Sequence, residues 1–282
     1  MKKYLFLSVA LRKDLINLDY SIKTFKNFYK NINYIIITPN SDIKEFQKKF
    51  QKFPFVQIID ENEIFDKKKF FAICKSYLGK INNFKEFRIG WYYQQALKLT
   101  YLLNSKYFQD HLIIWDSDTI PLKKIKFFDK EKLPILYGSR YEYHIPYFIC
   151  NDLILGKEFK RPKFSFITQF CYLDLKGRRD LRKIILKSNK KNKICIDETF
   201  IAHMIFYAIK KSNFDNKLIG GSFFSEYEFV GTYLNKRYLG NMKQKPIKFM
   251  RIYVDGKISY FQKIILNIFG YFHVTYENKE TF

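Results

Sequence analysis

The chain has 282 residues, of which 47% are hydrophobic and 20% aromatic, with only 7 Pro and 11 Gly. This composition excludes a largely disordered chain and is sufficient for one full α/β domain with modest additions. An excess of 51 Lys and Arg over 27 Asp and Glu gives a net charge of +24, which favours an anionic partner: nucleic acid, an anionic membrane or a phosphorylated substrate.

The lysines are scattered along the chain and form no nucleic-acid recognition motif, so we expect no nucleic-acid partner. Codon bias in an AT-rich genome is the alternative explanation for most of them, since Asn, Ile, Phe and Tyr are abundant too. A peripheral contact with an anionic membrane is compatible with either explanation.

The cysteines and the N-terminus indicate a cytoplasmic protein, with peripheral contact to the inner membrane left open. Cys74, Cys150, Cys171 and Cys195 have neither metal-ligand spacing nor a disulfide pattern, so we expect small core residues in a reducing compartment. The apolar run from Tyr4 lacks a cleavage site and favours a first strand over a signal peptide. No apolar run reaches the ~18 residues needed to span a bilayer.

The first 115 residues alternate between apolar runs and segments of helical spacing. The runs predict strands at Tyr4–Ala10, Tyr34–Thr38, Phe55–Ile59 and His111–Trp115. The helical spacing predicts helices at Leu15–Tyr29, Ile43–Phe50 and Gly90–Asn104. Strands buried on both faces predict a doubly wound, mostly parallel α/β sheet. Ligands bind beyond the carboxyl ends of such strands, so the loops after Ala10, Thr38, Asp60 and Trp115 are expected to face one crevice.

The second half is less regular. Strands are predicted at Ile135–Gly138 and Phe164–Leu175, and helices at Gly177–Ser188 and Asp197–Lys211. No linker or internal repeat is visible. We therefore expect a single domain over residues 1–282, with a nucleotide-binding half (1–121) and an irregular acceptor-side half (122–282).

The strongest chemical signal is Asp116-Ser117-Asp118, which directly follows the predicted strand His111–Trp115. Two carboxylates at the ligand-binding edge of a sheet are hard oxygen ligands that suit Mg²⁺ or Mn²⁺. Such a metal can neutralise the charge that develops on a leaving nucleoside diphosphate. An exposed turn is the alternative structure for an Asp-x-Asp pattern.

Asp116-Ser117-Asp118 resembles the Asp-x-Asp motif of GT-A glycosyltransferases, which hold a nucleotide sugar through a divalent metal. Gly90-Trp91-Tyr92-Tyr93-Gln94-Gln95 and Ser225-Glu226-Tyr227-Glu228 are similar to motifs of a bacterial family of uncharacterised GT-A-like proteins. The resemblance covers roughly residues 4 to 235. It implies a GT-A-like fold and a hexosyltransferase-type enzyme that uses a nucleotide-sugar donor. The family has no agreed acceptor. The basic charge balance and an amphipathic stretch near the C-terminus favour a glycan or glycolipid of the bacterial surface, such as lipopolysaccharide or lipooligosaccharide.

Candidate donor-binding residues are Gln95, Lys98, Asp116 and Thr168. Gln95 and Lys98 are three residues apart on a predicted helix and can point together into the crevice, where Lys98 could meet a phosphate. A solvated helix face is the alternative. Thr168, with Ser165 and Gln169, occupies the place of the sugar-pocket strand of some GT-A enzymes, although the Asn and Gly of that strand are missing here. An ordinary half-buried strand is equally compatible.

Four carboxylates compete for the role of catalytic base: Asp197, Glu198, Glu226 and Glu228. Asp197 opens a predicted helix and resembles part of the acidic pair of inverting GT-A enzymes, although helix capping also explains it. Glu226 and Glu228 flank Tyr227; Ser225 could instead cap a helix there, with Glu228 completing a capping box. On a helix the two glutamates would diverge by about 200°, and Glu226 is then expected to meet the acceptor.

The resemblance also implies a third metal ligand near the C-terminus, for which His273 is the candidate; a structural histidine is the alternative. The competing function is a haloacid-dehalogenase-like phosphatase, in which Asp116 and Asp118 would be the nucleophile and acid pair and Ser139 the second motif. A non-catalytic sugar-binding module is a third hypothesis. Finally, residues 258–269 are amphipathic and predict either an ordinary C-terminal helix or one that lies on a membrane surface.

Overall fold

The computed structural model describes residues 4–79, 87–107, 111–130, 133–140, 142–156, 164–194, 199–213, 222–238, 243–252 and 259–276. Over these residues the strands are β1 (Tyr4–Val9), β2 (Ile32–Thr38), β3 (Val56–Asp60), β4 (His111–Trp115), β5 (Thr119–Pro121), β6 (Ile135–Gly138), β7 (Phe170–Leu173), β8 (Lys243–Pro246), β9 (Phe249–Ile252) and β10 (His273–Tyr276).

The helices in the same residues are α1 (Leu15–Phe28), α2 (Ile43–Phe50), α3 (Glu61–Ile64), α4 (Lys67–Leu78), α5 (Phe87–Leu103), α6 (Ile145–Leu155), α7 (Leu175–Lys191), α8 (Phe200–Ser212), α9 (Glu226–Arg237) and α10 (Tyr260–Ile268). Short 3-10 turns occupy Arg12–Asp14, Asn40–Asp42 and Ser105–Tyr107. Within the described part of the chain, each helix is too short or too polar to cross a bilayer.

The central sheet has five strands in the order β3-β2-β1-β4-β7. β1 pairs in parallel with β2 and β4, β2 pairs in parallel with β3, and β7 alone in this sheet runs antiparallel, against β4. The predicted mostly parallel α/β sheet is therefore confirmed. After β3 the chain returns to the other side of β1 to form β4, so the strand order reverses between β1 and β4. Ligands of open α/β sheets bind at this type of reversal.

The two faces of the sheet have separate cores, which explains the continuous apolar runs. Leu5, Leu7 and Val9 of β1 pack with side chains of helices α4 to α9. Phe6, which points the opposite way, packs with α1 and α2. Successive side chains of a strand alternate between faces, so β1 must be apolar throughout.

A smaller sheet, in the order β5-β10-β9, adjoins the end of β4. β5 pairs antiparallel with β10, and β10 pairs in parallel with β9. The backbone N–H of Tyr276 donates to the carbonyl of Asp118 at 3.0 Å. The C-terminal strand thereby holds the loop that carries the Asp-x-Asp pair.

The structure corrects several predicted elements. The predicted strand Phe164–Leu175 is regular only over β7, because Gln169 adopts a left-handed φ of 61° and interrupts extended pairing. The sequence interpretation also missed α4 and α6. Ser225 does begin a helix: its side chain accepts from the N–H of Glu228, so the helical alternative for this segment is confirmed.

Candidate active site

A cleft of about 410 Å³ opens where the strand order reverses. Val9 and Asp14 line it from the end of β1, and the Asp116–Asp118 segment lines it from the end of β4. The expectation for the loops after Ala10 and Trp115 is therefore confirmed. The loops after Thr38 and Asp60 do not line the cleft, because β2 and β3 lie on the outer side of β1; Asp60 instead accepts a hydrogen bond from the side chain of Asn40.

Lys98 is the polar centre of the cleft floor. Its ammonium donates to Asp116 Oδ1 at 2.6 Å, to Glu226 Oε1 at 2.7 Å and to the Tyr227 hydroxyl at 3.1 Å. Tyr227 in turn donates a hydrogen bond to Asp116. An ammonium has three N–H donors, and these three acceptors satisfy all of them.

The electrostatics of this cluster follow from burial and from two carboxylates sharing one cation. Lys98 is buried, yet Asp116 and Glu226 outweigh the cost of desolvating its charge and raise its pKa. Burial raises the pKa of Glu226, while the Lys98 ammonium opposes that shift. We therefore take Lys98 as charged. Together with the carboxylates of Asp116 and Glu226 it forms a cluster with a net negative charge.

Gln95 fixes the start of α9. Its side-chain oxygen accepts the backbone N–H of Glu226 at 3.0 Å, which satisfies one of the N–H groups left unpaired at a helix start. This bond also determines which amide atom is the oxygen. The Nε2 of Gln95 is buried at the cleft and has no partner among the described residues, so it is a donor ready for a ligand.

Glu226 and Glu228 point in different directions, as helical geometry requires. Glu226 lines the cleft. Glu228 is fully buried outside the cleft lining, where it accepts the Ser165 hydroxyl at 2.7 Å and the backbone N–H of Phe166 at 3.1 Å. Burial raises the pKa of Glu228 to about 8. The structure thus does not bring Glu228 together with Asp116.

Asp14 was not singled out in the sequence, although it follows β1 in a loop that was expected to face the crevice. It accepts the hydroxyl of Ser117 at 3.0 Å and the backbone N–H of Leu11 at 2.9 Å. Burial raises its pKa, and these two hydrogen bonds oppose the shift. Asp14 thereby ties the end of β1 to the Asp-x-Asp loop.

The cleft is acidic although the chain as a whole is strongly basic. Five carboxylates line it: Asp14, Asp116, Asp118, Glu142 and Glu226. The cations in the lining are Lys13, Lys98 and Arg251. Arg251 forms an ion pair of 2.9 Å with Glu142, and Lys98 is held by Asp116 and Glu226. A polyphosphate would therefore meet excess negative charge here unless it brought a cation.

The residues at the Asp-x-Asp loop fit a magnesium-type site and not a closed protein cage. No group of three or more His, Cys, Asp or Glu side chains among the described residues could hold a metal ion. Asp116 and Asp118 would supply carboxylate ligands, and the remaining positions would go to phosphate oxygens and water. Mg²⁺ bound with substrate phosphates is commonly held in this way.

The structure does not bring His273 to the two aspartates as a third ligand. Its imidazole is fully buried, stacked on Phe249 at 4.9 Å between ring centroids and set edge-on to Trp115 at 5.7 Å. Burial lowers its pKa to about 3. On β10 His273 shares a face with Thr275, two positions along, and lies against Trp115 and Phe170, whereas Val274 points the opposite way to pack with Ile120.

Thr168 is buried and lies outside the cleft lining, with its hydroxyl donating to the carbonyl of Phe170 at 2.9 Å. Its neighbour Gln169 does line the cleft, because the left-handed turn at this residue directs the chain there. Asp197 and Glu198 lie outside the described residues.

Solved structures similar to this chain include glycosyltransferases. Mouse xyloside xylosyltransferase 1 in its apo form is 9% identical, with a TM-score of 0.46, covering 99% of each chain. An active-site mutant of LgtC is 10% identical, with a TM-score of 0.46, covering 96% of this chain and 86% of that one. Galactosyltransferase LgtC in complex with donor and acceptor sugar analogs is 12% identical, with a TM-score of 0.38, covering 72% and 70%. At TM-scores below 0.5, the fold assignment rests on the strand order of this chain itself.

The chain has no match among curated proteins. Residues 5–145, half of its length, match a family of unknown function (DUF6492). This segment contains β1 to β4, the Asp-x-Asp loop and the helix that carries Gln95 and Lys98. The chain therefore belongs to the DUF6492 family.

Proposed function

We propose that this protein is a metal-dependent glycosyltransferase that transfers a sugar from a nucleotide-sugar donor to a glycan or glycolipid acceptor of the bacterial surface, such as lipopolysaccharide or lipooligosaccharide. The observation that carries the proposal is an acidic cleft at the strand reversal, with Asp116 and Asp118 at its end. A nucleoside diphosphate can enter such a cleft together with a divalent cation. The motif resemblance to GT-A enzymes supports the same reaction.

In this proposal Asp116 and Asp118 hold Mn²⁺ or Mg²⁺, which would neutralise charge on the leaving diphosphate. Lys98 acts as a positioning residue: its donors are taken by Asp116, Glu226 and Tyr227, so it orients both carboxylates. The unpaired Nε2 of Gln95 binds an oxygen of the donor.

Glu226 is our candidate for the general base that takes the acceptor hydroxyl proton. It lines the cleft, and burial raises its pKa, which moves a carboxylate towards the range in which it accepts a proton at neutral pH. Glu228 is held by Ser165 and Phe166 away from the cleft, so we propose a structural role for it.

A haloacid-dehalogenase-like phosphatase is less compatible with the geometry. Its second motif would require Ser139 near Asp116. Ser139 is instead buried, with backbone hydrogen bonds to Ser165 in both directions, and lies outside the cleft lining.

The test is a calorimetric titration of nucleotide sugars with and without Mn²⁺, for the natural chain and for Asp118→Asn. We expect metal-dependent donor binding in the natural chain and its loss in Asp118→Asn, with the same far-UV circular dichroism. Glu63→Gln, which removes an exposed carboxylate outside the cleft, is the matched control and should bind normally. Full transfer activity in EDTA would contradict the metal assignment, and binding without turnover would indicate a sugar-binding module.

A further inference from the structure

Half of the exposed large apolar side chains in the described residues lie on one short helix and the residue after it. Phe261 is 71% exposed, Ile268 76% and Phe269 66%, while Ile264 and Ile265 are 40% and 37% exposed. The other exposed apolar side chains are dispersed: Ile16, Phe71, Tyr143, Ile145 and Ile184. A contiguous apolar surface of this kind is typical of an interaction site.

The helix is well formed locally and is held to the protein by its other face. Ser259 and Gln262 make a reciprocal capping box at its start, and Gly270 with a φ of 83° ends it. Leu266 packs against the small core of Ile120, Leu122 and Val274. The exposed face is therefore presented by a fixed helix and is not a frayed terminus.

The charge around this face complements an anionic surface. The helix sequence contains one lysine and no carboxylate. From residue 243 to 282 the sequence has seven Lys and Arg against three Asp and Glu, an excess of four positive charges. Lys248 is exposed, with its ammonium 3.2 Å from the carbonyl of Phe269, beside the apolar face. Exposed apolar side chains on a helix of nine residues, with Lys248 beside them, suit the interface of a bilayer with anionic lipids.

The same helix is joined to one wall of the cleft through the strand that follows it. It leads into β10, whose Tyr276 lines the cleft and binds the carbonyl of Asp118. β9, which pairs with β10, supplies Arg251 to the cleft lining. A bilayer that bound Phe261 and Ile268 would thus lie next to the small sheet, which forms one wall of the site.

We propose that α10 and Phe269 dock into the interface of an anionic bilayer, and that the acceptor is consequently an amphiphile whose lipid part stays in that bilayer. The choice of acceptor rests on the proposed transferase function; the docking itself does not. A second copy of the chain is the competing occupant of the apolar face, and it would carry the same net positive charge.

The experiment is flotation of the full chain with vesicles of phosphatidylcholine, with or without phosphatidylglycerol. We expect partitioning that requires phosphatidylglycerol and weakens as salt is raised. The double variant Phe261→Gln, Ile268→Gln should lose about tenfold or more in its partition coefficient, because two exposed apolar side chains no longer enter the interface. Phe71→Gln, Ile184→Gln, which removes the same residue types elsewhere, should partition like the natural chain.

Failure of the natural chain to bind anionic vesicles would overturn the docking, as would equal binding by the Phe261/Ile268 variant. A dimer in sedimentation that the same variant converts to a monomer would assign the face to a second copy. Metal-dependent binding of a nucleotide sugar is measured on the same samples. Donor binding without vesicle binding refutes the docking alone, and vesicle binding without donor binding refutes the transferase proposal alone.

Discussion

Glu226 Oε1 accepts a hydrogen bond of 2.7 Å from Lys98 Nζ, although the two residues are 128 positions apart in the chain. The bond joins the helix that precedes the Asp-x-Asp loop to the N-terminal turn of α9. Both side chains are almost completely buried, with exposures of 7% and 4%. Their interaction is therefore screened little by solvent and should be visible in both stability and function.

Substituting Lys98 tests this relationship. Lys98→Met leaves Asp116 and Glu226 next to each other without a cation, so we expect the free energy of unfolding in urea to fall by about 3–5 kcal/mol. The double variant with Glu226→Gln should recover part of that loss, because one uncompensated charge is removed. Donor affinity should also fall, since Asp116 loses its support. Lys13→Met, at an exposed lysine in the cleft lining, is the control. An equal decrease in the free energy of unfolding of Lys98→Met and Lys13→Met would contradict the role of Lys98.

The proposed base is tested by Glu226→Gln. Glutamine keeps the shape and can still accept the Lys98 hydrogen bond, but it does not accept a proton. We expect turnover to fall by about 10²–10⁴-fold, with donor affinity retained. Steady-state kinetics and calorimetry on the same preparation separate the two effects.

Glu228→Gln is the matched control for the base, since Glu228 faces Ser165 and lies outside the cleft lining. Its turnover should stay near normal. Normal turnover in Glu226→Gln together with collapse in Asp197→Asn would instead assign the base to the helix predicted to begin at Asp197.

The raised pKa of Glu228 predicts how stability depends on pH. Folding raises the pKa of this carboxyl from 4.5 to about 8, so between these values the folded state holds a proton that the unfolded state has released. The contribution of Glu228 is fully present below about pH 4.5 and is lost as pH rises towards 8. The free energy of unfolding in urea should be lower at pH 8 than at pH 5, and this decrease should be smaller in Glu228→Gln. Parallel pH profiles of the two proteins would refute the prediction.

Two helical glycines give opposite expectations for the same substitution. A Cβ at Gly231 of α9 would lie 2.2 Å from a ring atom of Phe166, whose own Cβ is 2.3 Å away, so Gly231→Ala should destabilise by about 1–3 kcal/mol. At Gly90 of α5 a Cβ meets nothing within 4 Å. Gly90→Ala should stabilise by about 0.5–1 kcal/mol, because alanine favours a helix. Thermal unfolding of both variants checks the difference in sign.

The sequence by itself determined the elements that carry local signals. The strand His111–Trp115 and the helix Ile43–Phe50 have the bounds predicted for them. Their apolar runs and helical spacing reflect directly which side chains of each element are buried. The sequence also determined that Asp116 follows a buried strand and that Gln95 and Lys98 share a helix face. Ser225, as an N-cap, further implied that Glu226 and Glu228 diverge.

Only the tertiary structure decided what each of these side chains meets. A helix separates Glu226 from Glu228 by angle, but the positions of Lys98 and Ser165 decide which one reaches the cleft. Asp14 joins the site through Ser117, which is 103 residues away.

The predicted strand Phe164–Leu175 and the predicted position of His273 both differ from the structure, and for the same physical reason. The left-handed turn at Gln169 delayed the start of the predicted strand Phe164–Leu175 to Phe170 and left Thr168 outside the cleft. The pairing of β10 with β5 placed His273 among aromatic rings and not beside Asp118. Residue types and spacing reveal burial and local conformation, whereas contacts between distant segments depend on packing that no single segment encodes.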